Sequence, residues 1–147
     1  MASLKAMDIR PSREPRPPVD FTEHLGIQTT SPEPGRSAAE VVLQPHHLNI
    51  AGTVHGGFLM TMLDTLMGRA AFTQLNALAS GDAWRWFATS HLTTHFLEAV
   101  SGGELSGEGR VVSQAADFVL AEAEIRSEDG TLVATGQGQF TRVRPKE

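Results

Sequence analysis

The sequence predicts an α+β domain in the order β-β-α-β-β-β-β, one long helix with about six antiparallel strands. Three observations carry this prediction. In Val54 to Leu75, a long helical stretch, Leu59, Met60, Met62, Leu63, Leu66, Met67 and Ala70 cover most of the circumference, and a helix that apolar is buried on more than one side. Leu105, Gly107, Gly109 and Val111 alternate with Glu104, Ser106, Glu108 and Arg110, and Val119, Ala121, Ala123 and Ile125 alternate with Glu122, Glu124 and Arg126, the period of half-buried strands. The links Ser101-Gly-Gly103, Gln114-Ala-Ala-Asp117 and Glu128-Asp-Gly130 are hairpin-length, and short links between consecutive strands force antiparallel pairing.

The elements follow in order. Residues 1–19 carry Pro11, Pro15, Pro17 and Pro18 among Arg10, Arg13 and Arg16, a composition that favours extended, solvated chain. The sequence therefore reads as a flexible tail over 1–19 and one domain over 20–147. Asp20-Phe-Thr-Glu23 has the N-cap and capping-box spacing of a helix start, and Gly26 keeps that helix short. Ile27 to Thr30 and Ala38 to Leu43 read as strands joined by the turn-rich Ser31-Pro-Glu-Pro-Gly-Arg36. Phe87 to Glu98, mixing aromatic and Thr residues, and Thr131 to Val143 complete the strands. One helix covers only part of such a sheet. The helix and an uncovered edge would both gain from a second copy, so a homodimer is expected.

Composition narrows the function. The 147 residues carry a net charge of −5 and no cysteine. Zero cysteine removes disulfide scaffolds, thiolate zinc sites, iron–sulfur clusters and cysteine nucleophiles. The acidic balance argues against nucleic acid, which needs a basic face. The N-terminal residues contain no apolar core of a secretory signal. The stretch from Phe58 to Phe72 is broken by Thr61, Asp64, Thr65 and Arg69, which argues against a membrane span. A cytoplasmic location is expected. His46-His47 and His91/His95 are the histidine groupings; neither has a third ligand at zinc spacing, so no metal and no cofactor is expected. No Gly-x-Ser-x-Gly elbow marks a serine hydrolase, and Gly136-Gln-Gly138 lacks the remainder of a dinucleotide loop. Trp84 and Trp86 suit core or interface packing, or an adenine or aryl contact.

The segment richest in chemistry runs from His47 to Asp64. His55-Gly56-Gly57 stands where a loop becomes the long helix. Glycines there let a ligand reach N–H groups that the helix leaves unpaired, at the positive end of its dipole. The same glycines also serve close packing of the helix against a neighbour; spacing alone admits both. Asp64 lies at the edge of a semi-polar stripe of Thr61, Thr65, Gly68 and Arg69, beside Met60 and Met67. That stripe is either a solvated face or the wall of a polar cavity, in which a carboxylate acts as base or nucleophile.

The pattern Asn49-x-x-Gly52-x-x-His55-Gly56-Gly57-x₆-Asp64 resembles the signature of hotdog-fold acyl-CoA thioesterases of the PaaI-like group. Thr89-x-x-Leu92-x-x-x-Phe96-Leu97 is similar to the family's central strand, and Asp129-Gly-x-Leu-Val-Ala134 to its last hairpin. The resemblance covers Phe21 to Val143 and implies a hotdog fold and hydrolysis of an acyl-CoA substrate. It implies that the Gly56 N–H stabilises the oxyanion, that Asn49 sits beside it, and that His55 shapes the loop. Asp64 of the other subunit would activate water or attack the thioester, with Thr89 helping to hold that water. Gly57, Phe58, Met60, Leu63 and Met67 would line the acyl pocket, for an aryl, phenylacetyl or medium-chain group. The active site would lie at the interface of a homodimer, with a tetramer, a dimer of dimers, as the larger assembly. Two departures stand out: Glu98-Ala99 replaces the Arg-Pro common after Phe-Leu, and His91 and His95 occupy strand positions where other side chains are commoner. A catalytically silent hotdog module that binds acyl-CoA, and a hotdog dehydratase, are the other readings. The dehydratase expects a catalytic His paired with an acid in a different motif, which the sequence lacks.

Overall fold

A computed structural model of the chain describes residues 20–78 and 87–143. The 1–19 segment, Trp84 and Trp86 lie outside the described residues. A short helix α1 (Phe21–His24) opens the described chain, and its start follows the capping-box prediction: Asp20 accepts from the Thr22 and Glu23 N–H groups while Glu23 reaches back to the Asp20 N–H. Strands β1 (Gln28–Thr30) and β2 (Arg36–Val42) follow, then a 3-10 turn at Pro45–His47 that periodicity did not signal. The long helix α2 (Gly56–Leu78) leads to β3 (Phe87–Phe96), β4 (Glu104–Gln114), β5 (Phe118–Ser127) and β6 (Leu132–Arg142).

All six strands form one antiparallel sheet in the order β1-β2-β4-β5-β6-β3. This is the expected β-β-α-β-β-β-β hotdog arrangement. The long connection through α2 carries the chain from β2 to the far edge, so β3 pairs with β6 alone and its other side is open among the described residues.

The core sits between α2 and one face of the sheet. Met62, Leu63, Leu66, Met67 and Ala71 of the helix are fully buried, facing Val41, Leu105, Val119, Ile125 and Phe140. Each of the larger of these side chains, Met, Leu, Ile, Val or Phe, contributes about 1.5–3 kcal/mol when removed from water. The sheet approaches the helix through glycine. A Cβ at Gly109 would lie 2.8 Å from the Leu66 carbonyl oxygen, and one at Gly107 would lie 2.6 Å from Leu66 Cδ1. The Gly107/Gly109 alternation thus marks a place where helix and strand backbones nearly touch. Ser37 seals the contact by donating from Oγ to the Leu66 carbonyl, 2.6 Å away.

The opposite face of the sheet carries the charged half of the alternation, with Arg110 paired to Glu122 and Arg126 to Glu124. No helix among the described residues is long and apolar enough to cross a membrane. Both ends of α2 depart from the sequence prediction of Val54 to Leu75. It begins at Gly56, because Val54 bridges to Leu48 and donates its N–H to the Val100 carbonyl, and it runs on to Leu78.

Candidate active site

The loop before α2 closes on itself at every level. Leu48 pairs with Val54, the Asn49 N–H donates to the Thr53 carbonyl (2.7 Å), and the Gly52 N–H donates to the Asn49 carbonyl (3.0 Å). Gly52 has φ +78°, a conformation that glycine adopts without steric cost. Asn49 spends its side chain inside this loop: Oδ1 accepts from the Ala51 (2.9 Å) and Thr53 (3.2 Å) N–H groups, and Nδ2 donates to Thr53 Oγ1 (2.9 Å). Its second Nδ2 hydrogen is the part left for a ligand.

His55 then caps the helix. Its Nδ1 accepts the Gly57 N–H at 2.9 Å, and its carbonyl accepts from Phe58 (2.9 Å) and Leu59 (3.2 Å). Because Nδ1 is an acceptor, the ring proton of the neutral form sits on Nε2. Of the first amides of α2, the Gly56 N–H alone finds no acceptor among the described residues. It lies at the positive end of a 23-residue helix. The ring of Phe96, at the end of β3, stands beside it, and a Cβ on Gly56 would meet Phe96 Cζ at 3.5 Å.

Asp64 lies eight residues further on the same helix, about 12 Å along its axis. It is half-buried and faces β3, where Thr89 Oγ1 donates to its Oδ1 at 2.8 Å. Along the same stripe, Thr61 and Thr65 return their hydroxyls to the Gly57 and Thr61 carbonyls. Thr89 stands at a register shift between Thr89 and His91. Such bulges re-aim a side chain relative to its strand.

Within one chain, Asp64 and Thr89 thus come together, as do Gly56, His55 and Gly57, and the two groups stay apart. Of the five expected pocket residues, Gly57 is exposed and Met60 is 38% exposed. Phe58, Leu63 and Met67 are core residues. Phe58 stacks on His47, while Leu63 and Met67 lie against Gly136 and Gly138 of β6. Their apolar pattern was legible, but which side of the helix the sheet would cover was not. His91 and His95 are exposed and alternate with half-buried Leu92 and Thr94, so they face away from α2 and from the motif. Two residues that the sequence pattern contains without marking their place at the site are Phe96, half-exposed beside Gly56, and the buried His47.

A six-stranded antiparallel sheet packed on one long helix defines a hotdog protein. Comparison with known proteins agrees. Residues 51–134 match the Thioesterase superfamily, and the chain belongs to that family. It is similar to a Saccharolobus solfataricus protein named "Putative esterase SSO2140", 28% identical over 83% of this chain and 82% of the relative. Among solved structures it is similar to the conserved protein PA5202 of Pseudomonas aeruginosa, with TM-score 0.74, 28% identity, and 84% and 93% of the two chains covered. The E. coli PaaI protein, from the phenylacetic acid degradation operon, shares the fold at TM-score 0.73, with 24% identity and 85% of each chain covered. Family membership makes this chain a hydrolase of thioesters.

Proposed function

We propose that the chain is an acyl-CoA thioesterase that releases a free acid and CoA, working as a homodimer with its active site at the subunit interface. One observation carries this reading. The two chemical groups of the site stand towards opposite ends of the same strand, open among the described residues: Thr89, which holds Asp64, is the third residue of β3, and Phe96, which lies beside Gly56, is its last. Antiparallel pairing of two β3 edges about a two-fold axis turns one strand end for end against the other. The Asp64 end of one copy then faces the Gly56 end of its partner. About 12 Å of helix prevents the two groups of one chain from meeting at one carbonyl, whereas an oxyanion donor must lie within about 3 Å of the oxygen it stabilises.

In this mechanism the Gly56 N–H donates to the thioester carbonyl oxygen. The Asp64 carboxylate of the other copy takes a proton from water as the water oxygen bonds to the carbonyl carbon. The tetrahedral intermediate expels the CoA thiolate as the C–S bond breaks, and the proton on Asp64 goes to that sulfur. Direct attack by Asp64, giving an anhydride that water opens, uses the same positions. Thr89 holds the carboxylate through its donated hydrogen bond, and His55 keeps the Gly57 N–H occupied so that Gly56 alone is offered. Met60 and Phe96 supply exposed apolar surface for an aryl, phenylacetyl or medium-chain acyl group.

The test is thiol release from a panel of acyl-CoA thioesters by wild type beside Asp64→Asn. Cleavage by wild type that disappears in the variant, with binding retained, upholds the reading and names the acyl class. A panel left intact by wild type favours a silent acyl-CoA-binding module. Cleavage retained by Asp64→Asn removes Asp64 from the mechanism.

A further inference from the structure

We infer that His47 is the positioning residue of this site: it sets the direction of the Gly56 N–H without touching the substrate. The inference rests on Gly56 acting as oxyanion donor. His47 is 2% exposed, the largest polar side chain in the core, and the mechanism gives it no chemical task. Both of its ring nitrogens are engaged with opposite roles. Nε2 lies 2.9 Å from the Leu25 carbonyl, which can only accept, and Nδ1 lies 3.0 Å from the Gln44 N–H, which can only donate. The partners therefore dictate a neutral ring with its proton on Nε2. Burial acts the same way, lowering the pKa from 6.5 by penalising the charged form.

The same residue holds both ends of the catalytic loop. Its carbonyl accepts the His55 N–H at 2.9 Å, which closes residues 47–55 into a ring of chain. Its imidazole stacks on Phe58, in the first turn of α2, with centroids 4.3 Å apart and planes 26° apart. The imidazole thus ties Leu25 after α1 and Gln44 after β2 to Phe58, two residues past Gly56, while the main-chain carbonyl of the same residue holds His55 on the other side. Because His55 both receives the loop and caps Gly57, a shift at His47 passes through it to the direction of the Gly56 amide. An oxyanion donor acts through its direction in the transition state, so displacement lowers kcat and leaves substrate binding alone.

Two variants separate positioning from bulk. His47→Phe keeps an aromatic ring against Phe58 and deletes both hydrogen bonds; His47→Gln restores one donor and one acceptor. The expected result for His47→Phe is a fall in kcat of about tenfold or more, a fraction of the ~10²–10³-fold that loss of an oxyanion donor costs, with KM within about threefold. His47→Gln recovers most of that loss. Amide hydrogen exchange is read in parallel: the His55 and Gly57 amides exchange faster in His47→Phe, those of β4 and β5 do not, and His47→Gln restores protection. Unchanged kcat in a folded His47→Phe, a loss confined to KM, or acceleration spread evenly over the strands overturns the inference. Should His47→Phe fail to fold, His47→Gln decides alone: wild-type protection and near-wild-type kcat uphold the inference, and a full loss overturns it. Should wild type cleave no thioester, the proposed function falls, and the exchange pattern still decides whether His47 holds the loop.

Discussion

Two turns of one helix separate Gly56 from Asp64, and the chain builds the surroundings of each in a different way. Around Gly56 the backbone is saturated. A bridge, a side-chain-filled loop, a histidine cap and a stacked imidazole leave one N–H without an acceptor among the described residues. Around Asp64 the structure is sparse, with one threonine hydroxyl on a half-buried carboxylate at the rim of an open strand. The first environment is complete within one chain. The second faces outward at the edge of the sheet. Dense local hydrogen bonding suits a group whose direction matters, and an open rim suits one that must meet water and, in the proposed dimer, a substrate held by the second copy.

Four experiments break or sharpen that contrast, and a fifth probes a region outside it. Asp64→Asn keeps the shape and removes the base, and should lower turnover by about 10²–10⁴-fold with the thermal midpoint close to wild type. Gly56→Pro acts on the other environment. Proline removes the N–H and suits the first position of a helix, and its Cβ would meet Phe96 only at ordinary contact distance. The expected loss is about 10²–10³-fold with the helical circular dichroism retained. Mixing the two inactive proteins under subunit exchange should then restore activity, because each hybrid dimer contains one intact Gly56 facing one intact Asp64. With random pairing, half of the dimers are hybrids with one working site in two, so recovery approaches about a quarter of wild type. No recovery after demonstrated exchange would place both groups in one subunit.

Thr89→Ala should cost less, about tenfold or below, since its hydroxyl only orients the carboxylate; a loss equal to that of Asp64→Asn would promote Thr89 to an essential role. The smallest effect belongs to the β5–β6 turn. There the Ser127 hydroxyl and the Thr131 N–H hold the Asp129 carboxyl down at a pKa of about 2. A lowered carboxyl pKa contributes stability above its unfolded value of 3.8, and loses it as pH falls towards 2. The urea midpoint of wild type minus that of Asp129→Asn should accordingly be positive and level above pH 5, then shrink as the solution is acidified.

Much of this was legible in one sequence because the signals are local. Asp20 and Glu23 announce a capping box three residues apart, and the alternation from Leu105 to Val111 and from Val119 to Ile125 announces which side of a strand is wet. The His55-Gly56-Gly57 step announces a helix start with room at its backbone. Other features were out of reach for an equally physical reason. Nothing near Leu63 or Met67 in sequence says that glycines at 136 and 138 bring a strand against them, so the helix wheel could not separate pocket from core. His47 reads as one of two adjacent histidines until Leu25, Gln44 and Phe58 close on it from three segments. Phe96 gains its place beside Gly56 only when β3 reaches the far edge of the sheet.

By itself, then, the sequence determined what depends on neighbours within a few residues: the periods of the strands, the helix caps, the turn glycines and the presence of the Asn49-to-Asp64 motif. The tertiary structure alone decided what depends on long-range packing. It chose which face of α2 the sheet covers and placed β3 at an edge, open among the described residues. It also set the two chemical groups at opposite ends of that strand. Those outcomes follow from how a six-stranded sheet curls round one helix, a property of all its contacts together and of no single segment.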